Sequence, residues 1–179
     1  MVKLYKNFNI KNYHKNSIIL IGNFDGLHLG HQKLFKLALS YKKKYYSKIG
    51  VINFDPMPKM YFDNSLKNFK ISSVNQKLEL LKALKVDFII TKKFDKNFSK
   101  IKSIKFIKEI LYKKLNCKFI FVSNNFRFGN KREGDVKLLL QNEKNYNYKV
   151  IKPKPLFKSK KIVSSTIIRN LLEKGNLNR

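Results

Sequence analysis

The chain has 179 residues, enough for one domain with a substantial core, and 43% of them are hydrophobic, which excludes a disordered protein. The single cysteine, Cys117, excludes an internal disulfide framework; no apolar run reaches the length of a membrane helix and the first residues lack a secretion signal's apolar core, so a cytoplasmic protein is expected. The net charge of +29 invites a nucleic-acid reading, but 36 of the 40 basic residues are Lys spread along the whole chain, the pattern of an A+T-biased coding sequence, so no specific nucleic-acid partner is expected.

In chain order, Ser17 to Ile21 reads as a short apolar strand. It runs into Gly22-Asn23-Phe24-Asp25-Gly26-Leu27-His28-Leu29-Gly30-His31, and a helix over Leu27 to Lys44 follows, with Leu34, Leu37 and Ala38 on one face. Lys48 to Phe54 is a strand, and Asp55 to Ser73, with Pro56 and Pro58, is irregular. Asn75 to Leu84 is a helix, Asp87 to Thr91 a strand, Ile104 to Leu115 a helix and Lys118 to Val122 a strand. Asp135 to Glu143 is a helix and Tyr148 to Ile151 a strand. After the strand-like Lys160–Val163, Ser164 or Ser165 caps a last helix that runs to about Lys174. This alternation predicts an α/β fold, a doubly wound parallel sheet in a single domain over residues 1–179. Ligands of such sheets bind beyond the carboxyl ends of the strands, where three chemically distinctive segments fall.

Gly22 and Gly26 let the backbone turn and approach a ligand closely. His28 and His31, three apart, share a face at a helix start, where free N–H groups and the positive dipole end favour phosphate. Gly30 between them has no side chain to obstruct a nucleotide. Two imidazoles there can donate to phosphate oxygens as charge develops. No Cys, Glu or third nearby His completes a metal site, so no protein metal ligand is expected. Phe126 and Phe128 alternate with Arg127, so on an extended chain the rings face one way and the guanidinium the other. Ser164, Ser165 and Thr166 open the last helix as a second phosphate cradle, with Arg169 one turn along. Three of the four Arg, Arg127, Arg132 and Arg169, lie within these segments, which suggests that guanidinium geometry matters there. Cys117 reads as a packed thiol.

The segment ending in His28-Leu29-Gly30-His31 resembles the HxGH signature of the nucleotidyltransferase superfamily. The full string from Gly22 is similar to the adenylyltransferase (FAD synthetase) domain of the bacterial bifunctional riboflavin kinase/FAD synthetase family. Three further segments carry the same resemblance. Phe54-Asp55-Pro56-Met57-Pro58 is similar to the family's second motif, with Met57 where His is usual. Asn125-Phe126-Arg127-Phe128-Gly129 followed by Arg132-Glu133-Gly134-Asp135 is similar to its third, with Ser123-Asn124 in place of Gly and an acidic residue. Ser164-Ser165-Thr166-Ile167-Ile168-Arg169 is similar to its fourth. Gln76–Leu81, Phe94–Phe98 and Phe106-Ile107 match the intervening helices.

The resemblance implies transfer of AMP from ATP to FMN, giving FAD and pyrophosphate, with Mg²⁺ accompanying ATP. It places His28, His31 and Arg169 in catalysis, and Gly22, Asn23, Phe24, Asp25, Gly30, Ser164, Ser165 and Thr166 on ATP. Phe54, Asn125, Phe126, Arg127 and Phe128 fall to FMN, with Asn23, Asp25 and Asn125 orienting substrate phosphate or sugar. The family's carboxy-terminal riboflavin kinase barrel is expected to be absent, because the sequence stops about where its linker would begin. The partners implied are small molecules; no oligomeric state is implied. Another phosphorylated acceptor, and a catalytically degenerate flavin or RNA binder, stand as alternatives.

Overall fold

The computed structural model describes residues 2–66, 69–154, 157–158, 161–162 and 165–175. Six strands form one all-parallel sheet: β1 (Lys3–Tyr5), β2 (Ile18–Ile21), β3 (Ile49–Asp55), β4 (Phe88–Lys93), β5 (Phe119–Phe121) and β6 (Lys149–Ile151). Their order across the sheet is β1-β4-β3-β2-β5-β6. The chain steps from β2 outward to β3 and β4, then returns to the other side of β2 for β5. The order therefore reverses between β2 and β5, and their carboxyl ends flank the topological switch point.

A central parallel strand must be apolar on both sides, and β2 is: all four residues are buried. Ile18 and Leu20 join one apolar layer with Ile49, Val51 and Ile89, covered by Leu34, Phe35 and Ala38 of α1 (Leu29–Tyr45). Ile19 and Ile21 join the other with Ile52, Phe88 and Ile90. Between β3 and β4 lie the short α2 (Pro58–Phe62) and α3 (Val74–Ala83), whose Leu81 seals the first layer. Beyond β4 come α4 (Lys96–Ser99) and α5 (Ser103–Lys105), the latter continuing as a π-helical stretch over Phe106–Lys114. That stretch supplies Phe106, Ile107, Ile110 and Leu111 to the second layer, and α6 (Val136–Gln141) adds Val136 and Leu139. Helices thus cover both faces, as the alternation implied. The last helix, α7 (Ser165–Glu173), follows. Among the described residues, no helix is long and apolar enough to cross a membrane.

Four local features differ from the periodicity reading. β1 goes unread because three residues, two of them exposed, show no alternation; pairing with β4 makes it a strand. Pro58 starts α2 inside the span expected to be irregular, as its fixed φ suits a first helical position. A two-stranded ladder pairs Arg127–Phe128 with Gly134–Asp135 inside the third motif. A second pairs Phe157–Lys158 with Lys161–Ile162, where the strand-like run was expected.

Candidate active site

The turn after β2 is built around three positive φ angles. Phe24, Gly26 and Leu27 have φ of 48°, 74° and 35°. At Gly26 a Cβ would lie 2.8 Å from Ile71 Cγ2, so both the backbone and the space require glycine. Phe24 folds back over Gly22, is 2% exposed, and packs edge-on against His31 at 5.3 Å and Phe35 at 5.1 Å. Phe24, expected on ATP, therefore supports His31 from the core. A 3₁₀ turn over Asp25–Leu27 delays α1 to Leu29, two residues later than expected. His28 is consequently the extended residue before the helix and His31 lies in its first turn.

Asp25 is the node of the site. The residue is 1% exposed, and its carboxylate accepts from Ile71 N at 3.0 and 3.1 Å, Ser72 N at 3.1 Å, Ser72 Oγ at 3.2 Å and Arg169 Nη2 at 2.7 Å. Arg169 Nε donates to the Phe69 carbonyl at 2.8 Å, and its guanidinium lies 3.8 Å from the Phe69 ring centroid. Ser165 Oγ donates to the Asp25 carbonyl at 3.2 Å. Burial pushes the Asp25 carboxyl up, but hydrogen bonds from Ile71, Arg169 and Ser72 and the guanidinium charge outweigh it and hold the acid below its ordinary value. The sequence reading set Asp25 against substrate. In the structure its oxygens are enclosed by protein donors, and it clamps α7 onto the turn. Sequence reading missed Phe69, Ile71 and Ser72, because a loop partner leaves no periodic signal.

The rings of His28 and His31 stack with centroids 3.7 Å apart and planes 23° from parallel. The Nδ1 atoms of both are buried and have no hydrogen-bond partner among the described residues. Burial, then the Arg169 charge, lowers the His28 pKa; burial, then His28, pushes His31 down to about 3. Both imidazoles are therefore neutral at pH 7. A buried polar atom without a partner is costly and in native proteins calls for a reason, such as a ligand that supplies one. Gly30, between the two histidines in sequence and in the first turn of α1, has no side chain.

Asp55, at the end of β3, is ion-paired with Lys70 at 2.8 Å. Lys77, on α3, is 7% exposed. Met57, where the related motif has His, is 1% exposed and packs in the core.

The second and third motifs are joined by aromatic rings. Phe62, 68% exposed, packs against Phe94 at 5.8 Å, and Phe94 meets Phe54 at 6.1 Å. Phe54 contacts Phe98 at 5.5 Å, Phe98 contacts Phe106 at 6.3 Å, and Phe106 contacts Phe128 at 5.5 Å. Phe128 stacks with Phe126 at 5.5 Å, the planes 16° apart. The alternation expected at Phe126-Arg127-Phe128 holds: Arg127 turns away to Asp135, 3.4 Å off, whose carboxylate also caps α6 through Leu138 N at 2.9 Å. Phe128 itself is buried. Phe62, Phe94, Phe98 and Phe106 were not singled out as lining residues, since ring contacts across elements are invisible to sequence spacing.

A cavity of about 570 Å³ lies beside the third motif, lined by Asn125, Phe126, Arg127 and Arg132 among others, and the Gly22–His31 turn does not reach it. Asn125 Oδ1 accepts from Ser123 Oγ, while Asn124 donates to the Pro153 carbonyl. Asn23 is half-buried and Thr166 exposed. Ser164 lies outside the described residues. Among them, no group of three or more His, Cys, Asp or Glu is placed to hold a metal. Cys117 is buried and its thiol pKa is pushed up by burial, so it is a packed thiol.

The sequence profile of the FAD synthetase family matches residues 10–167. The bifunctional riboflavin kinase/FMN adenylyltransferase of Buchnera aphidicola subsp. Schizaphis graminum is 41% identical over 165 residues, 92% of this chain and 53% of that protein. The chain thus spans about half the length of the curated relatives it matches. A Streptococcus pneumoniae structure described as a macrolide-efflux protein superposes with a TM-score of 0.84 at 27% identity, covering 98% of this chain and 57% of that one. The pantoate-beta-alanine ligase of Francisella tularensis shares the fold with a TM-score of 0.63 at 14% identity, over 98% of this chain and 77% of that one.

Proposed function

The chain belongs to the FAD synthetase family, and from that membership we propose that it is an FMN adenylyltransferase acting at the crevice between β2 and β5. The observation that carries the proposal is the stacked pair His28 and His31, with two buried Nδ1 atoms lacking partners at the start of α1. An FMN phosphate oxygen bonds to the α-phosphorus of ATP as the bond from that phosphorus to the bridging oxygen breaks, and pyrophosphate leaves. FMN phosphate is largely ionised at neutral pH, with a second pKa of about 6, so no general base is needed. The protein's work is then positioning and charge stabilisation.

Neutral imidazoles suit this task as hydrogen-bond donors that meet charge as it moves onto the departing oxygens. Arg169 is held in place by Asp25 and Phe69, and its Nη1 makes no hydrogen bond among the described residues, which leaves that edge for a phosphate. The N–H groups opening α1 and the Thr166 hydroxyl complete the ATP side, with Gly22, Asn23 and Gly30 giving the nucleotide access, while Ser165, whose hydroxyl donates to the Asp25 carbonyl, anchors α7 to the turn. Mg²⁺ enters as part of the substrate MgATP, held by phosphate oxygens and water. Phe54 and the ring series toward Phe126, backed by the buried Phe128, form an apolar wall suited to a flavin, with Asn125 and Arg127 at its polar end. That wall favours FMN over other phosphorylated acceptors.

Incubating the purified chain with ATP, Mg²⁺ and FMN, then separating the flavins, tests this directly. FAD is the expected product. No FAD at high protein concentration defeats the proposal.

A further inference from the structure

Lys77 lies on α3, one helical turn past its cap Ser73, and is the one buried lysine among the described residues of a chain that has 36. Burying an ammonium costs several kcal/mol unless a partner repays it. Lys77 forms no hydrogen bond and no ion pair through its side chain among the described residues, and its neighbouring carboxylates are engaged elsewhere. Asp25 is taken by Arg169, Ile71 and Ser72, and Asp55 by Lys70. Ile71 and Ser72, which bond Asp25, lead directly into the Ser73 cap, so the first turns of α3 start at the Asp25–Arg169 pair and carry Lys77 on the same side of the site. The site therefore holds one more buried cation than its own anions match, and it also holds two buried imidazole nitrogens without partners among the described residues. A cation set with a cation to spare is completed by an anion from outside.

We propose that Lys77 is a further phosphate-binding group of this site, donating from the α3 side to the pyrophosphoryl oxygens of the nucleoside triphosphate. The proposal rests on the crevice being a triphosphate site. An ammonium on a flexible stem suits a moving target, because it follows oxygens as they separate from the α-phosphorus. A lysine placed only for packing would need its stem and not its charge.

Calorimetric titration with inorganic pyrophosphate, with AMP as the control nucleotide, separates these roles. Lys77→Met keeps the stem and removes the charge. Its dissociation constant for pyrophosphate is expected to rise about tenfold or more, the effect of one charge-assisted hydrogen bond. Its AMP affinity stays near that of the unaltered chain, its unfolding midpoint without ligand stays level or rises because the unpaired charge is gone, and Lys77→Arg recovers part of the pyrophosphate affinity. Unchanged pyrophosphate affinity in Lys77→Met overturns the proposal. So does equal loss of pyrophosphate and AMP with a lowered midpoint, or absence of pyrophosphate binding by the unaltered chain. Failure of the FMN reading appears separately, as no FAD formed while pyrophosphate still binds.

Discussion

Arg169 and Asp25, 144 positions apart in the chain, meet in a 2.7 Å ion pair whose side chains are only 14% and 2% exposed. Removing Asp25 would strand the guanidinium and the N–H groups of Ile71 and Ser72. Asp25→Ala is expected to lower unfolding stability by about 3–5 kcal/mol, the cost of breaking a buried pair from one side. Urea denaturation measures it, and a loss below about 1 kcal/mol would show the pair to be incidental. Asp25→Asn combined with Arg169→Gln should cost less than the sum of the single changes.

His28→Ala and His31→Ala act on turnover more than on stability. Neither Nδ1 has a partner to lose among the described residues, so folding gives up packing and no hydrogen bond there. Each change is expected to reduce FAD formation by about 10²- to 10³-fold, the range for removing one preorganised donor. Steady-state rates check it, and full activity in both variants would remove the imidazoles from the mechanism.

Acid should destabilise the protein before its carboxylates titrate. His31 has a folded pKa of about 3 against an ordinary 6.5, and His28 is lowered too. Between those values the unfolded chain binds protons that the folded chain refuses. The stability is therefore complete above about pH 6.5 and is lost as pH falls toward 3. Unfolding free energy measured from pH 8 to 4 should decline for the unaltered chain and decline less for His31→Gln. Equal slopes would contradict the assignment.

Phosphate binding should draw protons into the site. An anion set against buried neutral imidazoles raises their pKa, so pyrophosphate should bind with proton uptake near pH 6 and little near pH 8. Titrations in buffers of different ionisation enthalpy measure the uptake. No buffer dependence at pH 6 would place the anion away from His28 and His31.

Phe62 is the exposed end of the ring series that continues through Phe94 to Phe54. Phe62→Ala should raise the KM for FMN about fivefold to tenfold, the scale of one lost aromatic contact, with the KM for ATP unchanged. A rise for ATP alone would move the flavin elsewhere.

Much of the fold was legible in local pattern. The runs at β2, β3 and β5 and the apolar faces of α1 and α3 follow from two periodicities that need no knowledge of neighbours. The third motif shows where that ends. Alternation put Phe126 and Phe128 on one side and Arg127 on the other, yet the pairing with Gly134–Asp135 and the stack on Phe106 came only with the fold. Likewise, spacing set His28 and His31 together, but the 3₁₀ turn that moves His28 ahead of the helix follows from Asp25 being held by a loop 46 to 47 residues away.

By itself the sequence determined the strand–helix alternation, the glycines at the turn and the residue types proposed to meet phosphate, since each depends on neighbours along the chain. Only the tertiary structure decided that Asp25 serves Arg169, that one ring series links the second and third motifs, and that Lys77 is the one lysine buried among the described residues. Those outcomes depend on which strand ends lie side by side, and the reversal of strand order between β2 and β5 sets that. Burial is shared between distant segments, and no stretch of sequence records it alone.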